Sequence, residues 1–500
     1  TTLNLDGAGA FSFADTATAT NIIISGDSTS TVAADQIIVG AVTNDSGAAA
    51  GTLTFAATTT NTTLASSTIG ATTAAEYLKA VNVTATSADT TSSTATLSGD
   101  IFATTVTAVA TSATNNDTIA FGDKVTATTL NLDGAGAFSF ADTATAAIVI
   151  SGDSTSTVAA DQIIVGAVTN DGTTGEGTLT FAATTEDTTL ASTTIGATGA
   201  VLKAVNVTST ANTATLAGNV FATTVTATAT DTTGSDKVAF NGTVNAGTLA
   251  LVGTGSFSFD DIVTTTSDLD IVAGAKIVLT DGIVAGDTVF AATQNDTALT
   301  TSAVVTMPET LNSGSINFID YVGSGNTGAA DAALLTVNNT TLATFAAAVG
   351  SDATIVKITA TKKSAATIAS ELNITTNQAS ALDNAVTALA SGDATGLSAM
   401  QTALATGVTE SNVEQMQPDA GAATGAAMAV TGGVNNVIAG RQADTRVAFN
   451  TLGKQSGVST GDAANDAVVW AQVFTSDATQ DREGSIDGYD ADNQGLVIGW

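Results

Sequence analysis

The sequence contains neither cysteine nor histidine. Without Cys there is no disulfide scaffold, thiolate metal site or cysteine nucleophile. Without His there is no Ser-His-Asp triad, His-ligated metal or His general base. Basic residues are also scarce: 12 Lys and Arg face 46 Asp and Glu, a formal charge of -34. Such a balance repels polyanions, so no nucleic acid is expected among the partners. A Ser/Lys dyad is poorly supplied, and no carboxylate constellation stands out, so neither an enzyme activity nor a metal or cofactor is expected. Proline occurs twice, at Pro308 and Pro418, against 47 Gly, which excludes Pro-rich linkers and collagen. Aromatic residues make up only 4% and charged residues 12%, yet 44% of the chain is hydrophobic, which argues against disorder. No segment reaches the roughly 18 apolar residues of a membrane helix.

What is present above all is repetition. TTLNLDGAGAFSFADTATA starts at Thr1 and again at Thr128, and SGDSTSTVAADQIIVGAVTND starts at Ser25 and again at Ser151. FATTVTA recurs from Phe102 to Phe221, and GTLALVGTGSFSFDD at Gly247 opens a degenerate third copy. The expected divisions are repeat 1 at 1–127, repeat 2 at 128–246, and a third repeat with the end of the array at 247–360. The chain opens at Thr1 without Met and stops at Trp500 inside an apolar run, so it reads as a window from a longer protein.

Within each repeat, short runs rich in Thr, Val, Ile and Phe recur between clusters of Gly, Asp, Asn and Ser. TLNL from Thr2, NIIIS from Asn21, TLTFAA from Thr52 and IFATTVTAVA from Ile101 are examples. Such runs predict many short strands joined by tight turns. β-sandwich repeats and a parallel β-helix both satisfy the pattern. Small side chains favour the β-solenoid, whose narrow core has little room for Trp and Tyr. The expected class is therefore mainly β.

Around Thr361 the pattern changes. Leu382, Val386 and Leu389, then Leu397, Met400 and Leu404, fall at helical spacing, with Gly392 and Gly407 ending the helices. This gives a helical linker at 361–417. Pro418 and Asp419 open a second helix through 418–456, thin in side-chain bulk from Ala420 past Ala427 to Val430 and carrying Arg441 and Arg446 toward its end. From 457 to 500 the alternation has period two. Val469, Ala471 and Val473 oppose Trp470, Gln472 and Phe474, and Leu496, Ile498 and Trp500 oppose Gly495, Val497 and Gly499. Two adjacent segments of this kind, with an acidic loop between them, predict a transmembrane β-hairpin.

VWAQVF at Val469 to Phe474 and DGYDADNQGLVIG at Asp487 to Gly499 resemble the opening of the translocator domain of bacterial autotransporters, the type V secretion proteins of Gram-negative outer membranes. VEQMQPDAGAATGAAMAVTGGVNNVIAGR before them is similar to that family's linker and pore helix. The resemblance covers about Ala379 to Trp500. The repeats match the family's passengers only in style. It implies a surface-exposed passenger, a barrel begun by Trp470, Phe474, Leu496, Ile498 and Trp500, and a lumen helix containing Ala420, Ala427, Asn435, Arg441 and Arg446. It also implies outer-membrane lipid and the outer-membrane insertion machinery as partners, with the passenger's surface ligand unspecified. Absence of Cys suits a chain that must thread a pore unfolded.

Two sharper readings are weighed against plainer ones. Asn435 and Asn436 have the residue types for passenger cleavage, in which an Asn side-chain amide attacks its own backbone carbonyl; a solvated contact in the lumen is preferred. Asp490, Asp492, Asn493 and Gly495 faintly imitate a calcium loop, but Gln494 stands at the fifth ligand position, flanking helices are missing and a solvated hairpin loop is preferred. The expected function is display of an acidic, Thr-rich adhesive or structural passenger. The alternatives are a self-associating surface-layer protein of β-sandwich repeats, and a secreted hydrolase with its catalytic domain upstream.

Overall fold

The computed structural model describes residues 1–45, 49–59, 61–87, 92–112, 116–172, 175–231, 235–272, 274–293, 298–299, 301–322, 328–390, 408–410, 413, 420–451, 470–480 and 489–499. Contacts divide the chain into two units, Thr1–Lys362 and Lys363–Trp500.

The first unit is built of parallel strands. Strand Ile101–Ala110 shows how the sequence makes them: Val106, Ala108 and Ala110 are wholly buried, while Thr105, Thr107 and Val109 between them point outward. Ile101 lies beside Val125, and Val125 beside Ala144, all in parallel. A parallel neighbour requires the chain to return to its starting end. It does so through short strands such as Thr118–Phe121, which is itself parallel to Thr94–Leu97 and Ala137–Phe140. Coils therefore add strands to two growing sheets of 17 and 16 strands. These long parallel sheets of many strands are consistent with a β-solenoid-like fold.

The long strands shift register at recurring places, between Thr18 and Asn21, between Thr126 and Thr129, and between Ala246 and Thr248. A bulge there bends each strand and aligns the bend with the coil beneath. Gly40 and Gly166 occupy the same place in successive repeats, at φ +129° and +133°, with their backbone pressed on the carbonyls of Ala19 and Ala146. Only glycine fits both the angle and the approach.

The repeats of the sequence are not separate bodies. The boundary at 127/128 falls inside strand Val125–Asp133, and that at 246/247 inside strand Val244–Val252. The interior is one continuous apolar cluster from Leu5 to Ala360. Much of the aromatic content forms a ladder through it: the rings of Phe121 and Phe140 stack at 5.1 Å, and those of Phe240 and Phe259 at 5.4 Å. Phe290 and Phe318 continue edge to face at 5.4 Å.

The solenoid ends by reversing strand direction. Gly314–Tyr321 is parallel to Thr288–Ala292 but antiparallel to Ile355–Lys362, which pairs antiparallel with Ala343–Val349. Helix α1, Ala329–Leu334, precedes this closure and contributes the buried Asp331. The reversal covers the edge of Gly314–Tyr321 and makes Ala343–Val349 the outer strand there.

In the second unit, α2, Ala365–Leu372, begins at Ser364, whose hydroxyl accepts the Thr367 N–H, and ends at Asn373 in the left-handed region. α3, Thr376–Ala390, opens with a reciprocal cap. Thr375 Oγ1 accepts the Gln378 N–H at 3.3 Å, and Gln378 Oε1 accepts the Thr375 N–H at 2.6 Å. Leu382 and Val386 are buried on one face of α3, as their spacing predicts. The Leu389 side chain lies outside the described residues, as do Gly392, Leu397, Met400, Leu404, Gly407, Pro418 and Asp419. α4, Ala420–Thr451, covers most of the expected pore helix, and strands Trp470–Gln480 and Tyr489–Gly499 form an antiparallel hairpin.

Candidate functional site: a helix on a two-faced hairpin

α4 is rich in Ala, the strongest helix former, which offsets its five Gly, and its Ala427 and Met428 are exposed. Val437 is its one buried residue among those described, and Gly433 and Val434 beside it are half-buried. Gly433, Val434 and Val437 recur at helical spacing, so one narrow stripe of α4 packs on both hairpin strands.

Hairpin register assigns the faces. Val473 sits opposite Leu496, and Ala471 opposite Ile498, so these four side chains share one face. Val473 is 70% exposed, Leu496 58% and Ile498 60%. Phe474 sits opposite Gly495 and Gln472 opposite Val497 on the other face. There the Phe474 ring fills the space over Gly495: a Cβ on that glycine would lie 2.4 Å from the ring's Cε1 and Cζ. The ring also reaches α4, because a Cβ on Gly433 would lie 2.5 Å from its Cδ2. The hairpin thus has one face that holds the helix and, among the described residues, an aliphatic face that is exposed.

Strand pairing extends further than the alternation suggests. Tyr489 pairs with Gln480 and Asp492 with Asp477, so the second strand begins well before Gln494. Asp490, Asp492, Asn493, Gln494 and Gly495 therefore lie in extended backbone and not in a loop. Polar side chains do not prevent this, because the ladder uses only backbone groups. Extended backbone of this kind is not the tight turn that a calcium loop requires. Among the described residues no group of three or more acidic side chains is placed to hold a metal ion.

Asn435 and Asn436 are both exposed within α4, and so is Arg441. α4 contains Ala420 and Arg446 as well, and their side chains lie outside what is described. Trp470 pairs with Gly499 at the open end of the hairpin, and Trp500 lies outside the described residues. The Phe474 contacts were not readable in advance. Alternation placed Phe474 on one side of its strand, but the partner that makes that side the inner one, Gly433, comes from another element. Among the described residues no helix is long and apolar enough to cross a membrane. No family model, curated protein or solved structure matches the chain.

Proposed function

We propose that the chain joins the solenoid passenger of an autotransporter-type outer-membrane protein to the beginning of its translocator. On this reading, 1–360 is displayed at the cell surface and 361–417 is the linker. α4 lies in the barrel lumen, and Trp470–Gln480 and Tyr489–Gly499 are the first two barrel strands. The carrying observation is the two-faced hairpin. An aliphatic face of Val473, Leu496 and Ile498 left open on one side suits lipid, while the opposite face, cleared by Gly495, accepts a helix. Strands of 11 residues each are also long enough to cross an outer membrane when tilted.

The passenger's role on this reading is adhesive or structural. Its outward positions present Thr and Asn in register, as in the series Thr54, Asn82, Thr107 and Asn131 on successive coils. Uncharged hydroxyls in ranks offer a surface for contact. The partners are outer-membrane lipid, the insertion machinery and a surface ligand.

Fractionation of Gram-negative cells expressing the full-length protein tests the proposal. The protein should sediment with outer membranes, and protease added to intact cells should remove the solenoid. Leu496→Asp should reduce the membrane-inserted fraction severalfold, while Thr155→Asp, on the exposed surface of the solenoid, should not. A soluble protein indifferent to Leu496→Asp would overturn the assignment.

A further inference from the structure

We infer that Phe474 and Gly433 form a latch that fixes the axial position of α4 on the hairpin, a positioning role that rests on the pore-helix reading above. The Phe474 ring stands in the space that a Gly433 side chain would occupy, 2.5 Å from its Cβ position at Cδ2 and 2.6 Å at Cε2. Neighbouring Gly432 has nothing within 4 Å of its Cβ position, and neither has Gly440. Two adjacent glycines weaken a long helix, and only the second of this pair is explained by a close neighbour.

The ring works as a stop because of what flanks Gly433. Rotation of α4 by one residue would bring Val434 in one sense but the equally bare Gly432 in the other, so the stop acts on sliding: one turn either way would bring Val437 or Ala429 under the ring. Each carries the Cβ that the contact excludes. The next described glycine on the same face is Gly440, two helical turns away. Gly495 sets the other side of the ring, at 2.4 Å from its Cβ position, and so keeps Phe474 pointing at the helix. A chain passing through a pore needs its last helix to halt at one position, and this contact supplies a discrete one.

A size-swap experiment in the full-length protein tests the latch. Gly433→Leu should raise the rate of trypsin cleavage at the Arg441–Gln442 bond about tenfold, the change expected when one well-packed contact is lost. Gly432→Leu should leave it unchanged. Combining Gly433→Leu with Phe474→Ala should restore most of the protection, because the new side chain takes the place of the ring; general loss of folding would not be rescued. Because the native chain has no cysteine, a Gly433→Cys and Phe474→Cys pair gives a second readout: oxidation should yield one intramolecular crosslink. Equal cleavage in Gly433→Leu and Gly432→Leu, or no crosslink, would overturn the latch. Membrane fractionation of the unsubstituted protein judges the pore-helix reading separately, so a latch that holds in a soluble protein would sink that reading alone.

Discussion

The carboxylate of Asp161 holds Thr184 of the next coil twice: Oδ1 accepts its backbone N–H at 2.6 Å and Oδ2 its hydroxyl at 3.0 Å. Thr185 adds its own N–H at 3.0 Å and its hydroxyl at 2.5 Å. The arrangement recurs one repeat earlier, where Asp35 accepts from the N–H and hydroxyl of Thr58 and from the Thr59 hydroxyl. Both aspartates adopt the left-handed region, at φ 61° and 62°. Acidic turn residues that look like solvated punctuation in the sequence are thus clamps between coils.

These clamps make acid stability predictable. Burial pushes the Asp161 carboxyl up, but the four hydrogen bonds from Thr184 and Thr185 together hold it down at about 2; Asp35 is lowered by the same balance. A carboxyl depressed in the folded state stabilises above its ordinary value of 3.8, and the contribution is lost as pH falls from there toward 2. Asp161→Asn tolerates the positive φ, removes the charge and replaces one acceptor oxygen by an amide nitrogen that cannot accept from Thr184 or Thr185. We expect it to cost about 1 kcal/mol at neutral pH and to flatten the acid limb of the stability profile. Urea titrations of the solenoid between pH 5 and 2 check this, and an unchanged acid limb would reject it.

Glycines with positive φ separate into two classes. At Gly166 a Cβ would lie 2.0 Å from the Ala146 carbonyl oxygen, whereas at Gly172, φ +104°, it would meet nothing within 4 Å. Gly166→Ala should therefore cost about 2–4 kcal/mol, combining strain with displaced backbone. Gly172→Ala carries only the strain, about 1–2 kcal/mol. Thermal unfolding of the two variants should rank them in that order.

The same tetrapeptide should respond differently in its two copies. AFSF at Ala137–Phe140 has Phe138 and Phe140 buried between coils, but at Ala10–Phe13 the equivalent Phe11 and Phe13 are only half-buried. Phe138→Ala should cost about 3–5 kcal/mol. Phe11→Ala should cost no more than about half of that, since part of its ring surface stays in water. Chemical denaturation of both variants decides it, and equal losses would show that the half-buried ring matters as much as the buried one.

How much of this was legible depends on where the determining contact lies. Aliphatic runs such as NIIIS and IFATTVTAVA announce their strands, and Leu382 with Val386 announce a helix face. The short strands Thr29–Val32 and Thr94–Leu97 are harder to see, because Thr, Ser and Ala dominate them. Hydropathy would place Ser30 outside, yet it is wholly buried with its neighbours in the stack. Parallel against antiparallel pairing was undecided because it is settled a whole coil away, as in Ile101 beside Val125. The antiparallel closure by Ile355–Lys362 is likewise a matter of which edge the strand finds. In the hairpin, alternation gave two faces to each strand, but which face meets the helix rests on Gly433.

That closure supplies the last prediction. Tyr321 is wholly buried, and its hydroxyl donates to Asp331 Oδ2 while accepting the Ala298 N–H at 2.9 Å. The other oxygen of Asp331, which is also wholly buried, accepts the Leu299 N–H at 2.9 Å. One phenol and one carboxylate thus tie α1 and strand Gly314–Tyr321 to the backbone at Ala298 and Leu299. Tyr321→Phe keeps the ring's packing and deletes the oxygen, so a buried carboxylate loses a donor and a buried amide loses its acceptor. Leaving such groups unmatched costs about 2–4 kcal/mol. In a repeat array the loss need not spread to distant coils, so hydrogen exchange is the suitable measurement. The Ala298 and Leu299 amides should lose protection in Tyr321→Phe, while amides of strand Ile101–Ala110 should keep theirs. Uniform loss along the solenoid would show that the closure governs the whole stack, and no loss at Ala298 would show that the phenol hydroxyl is not what holds it.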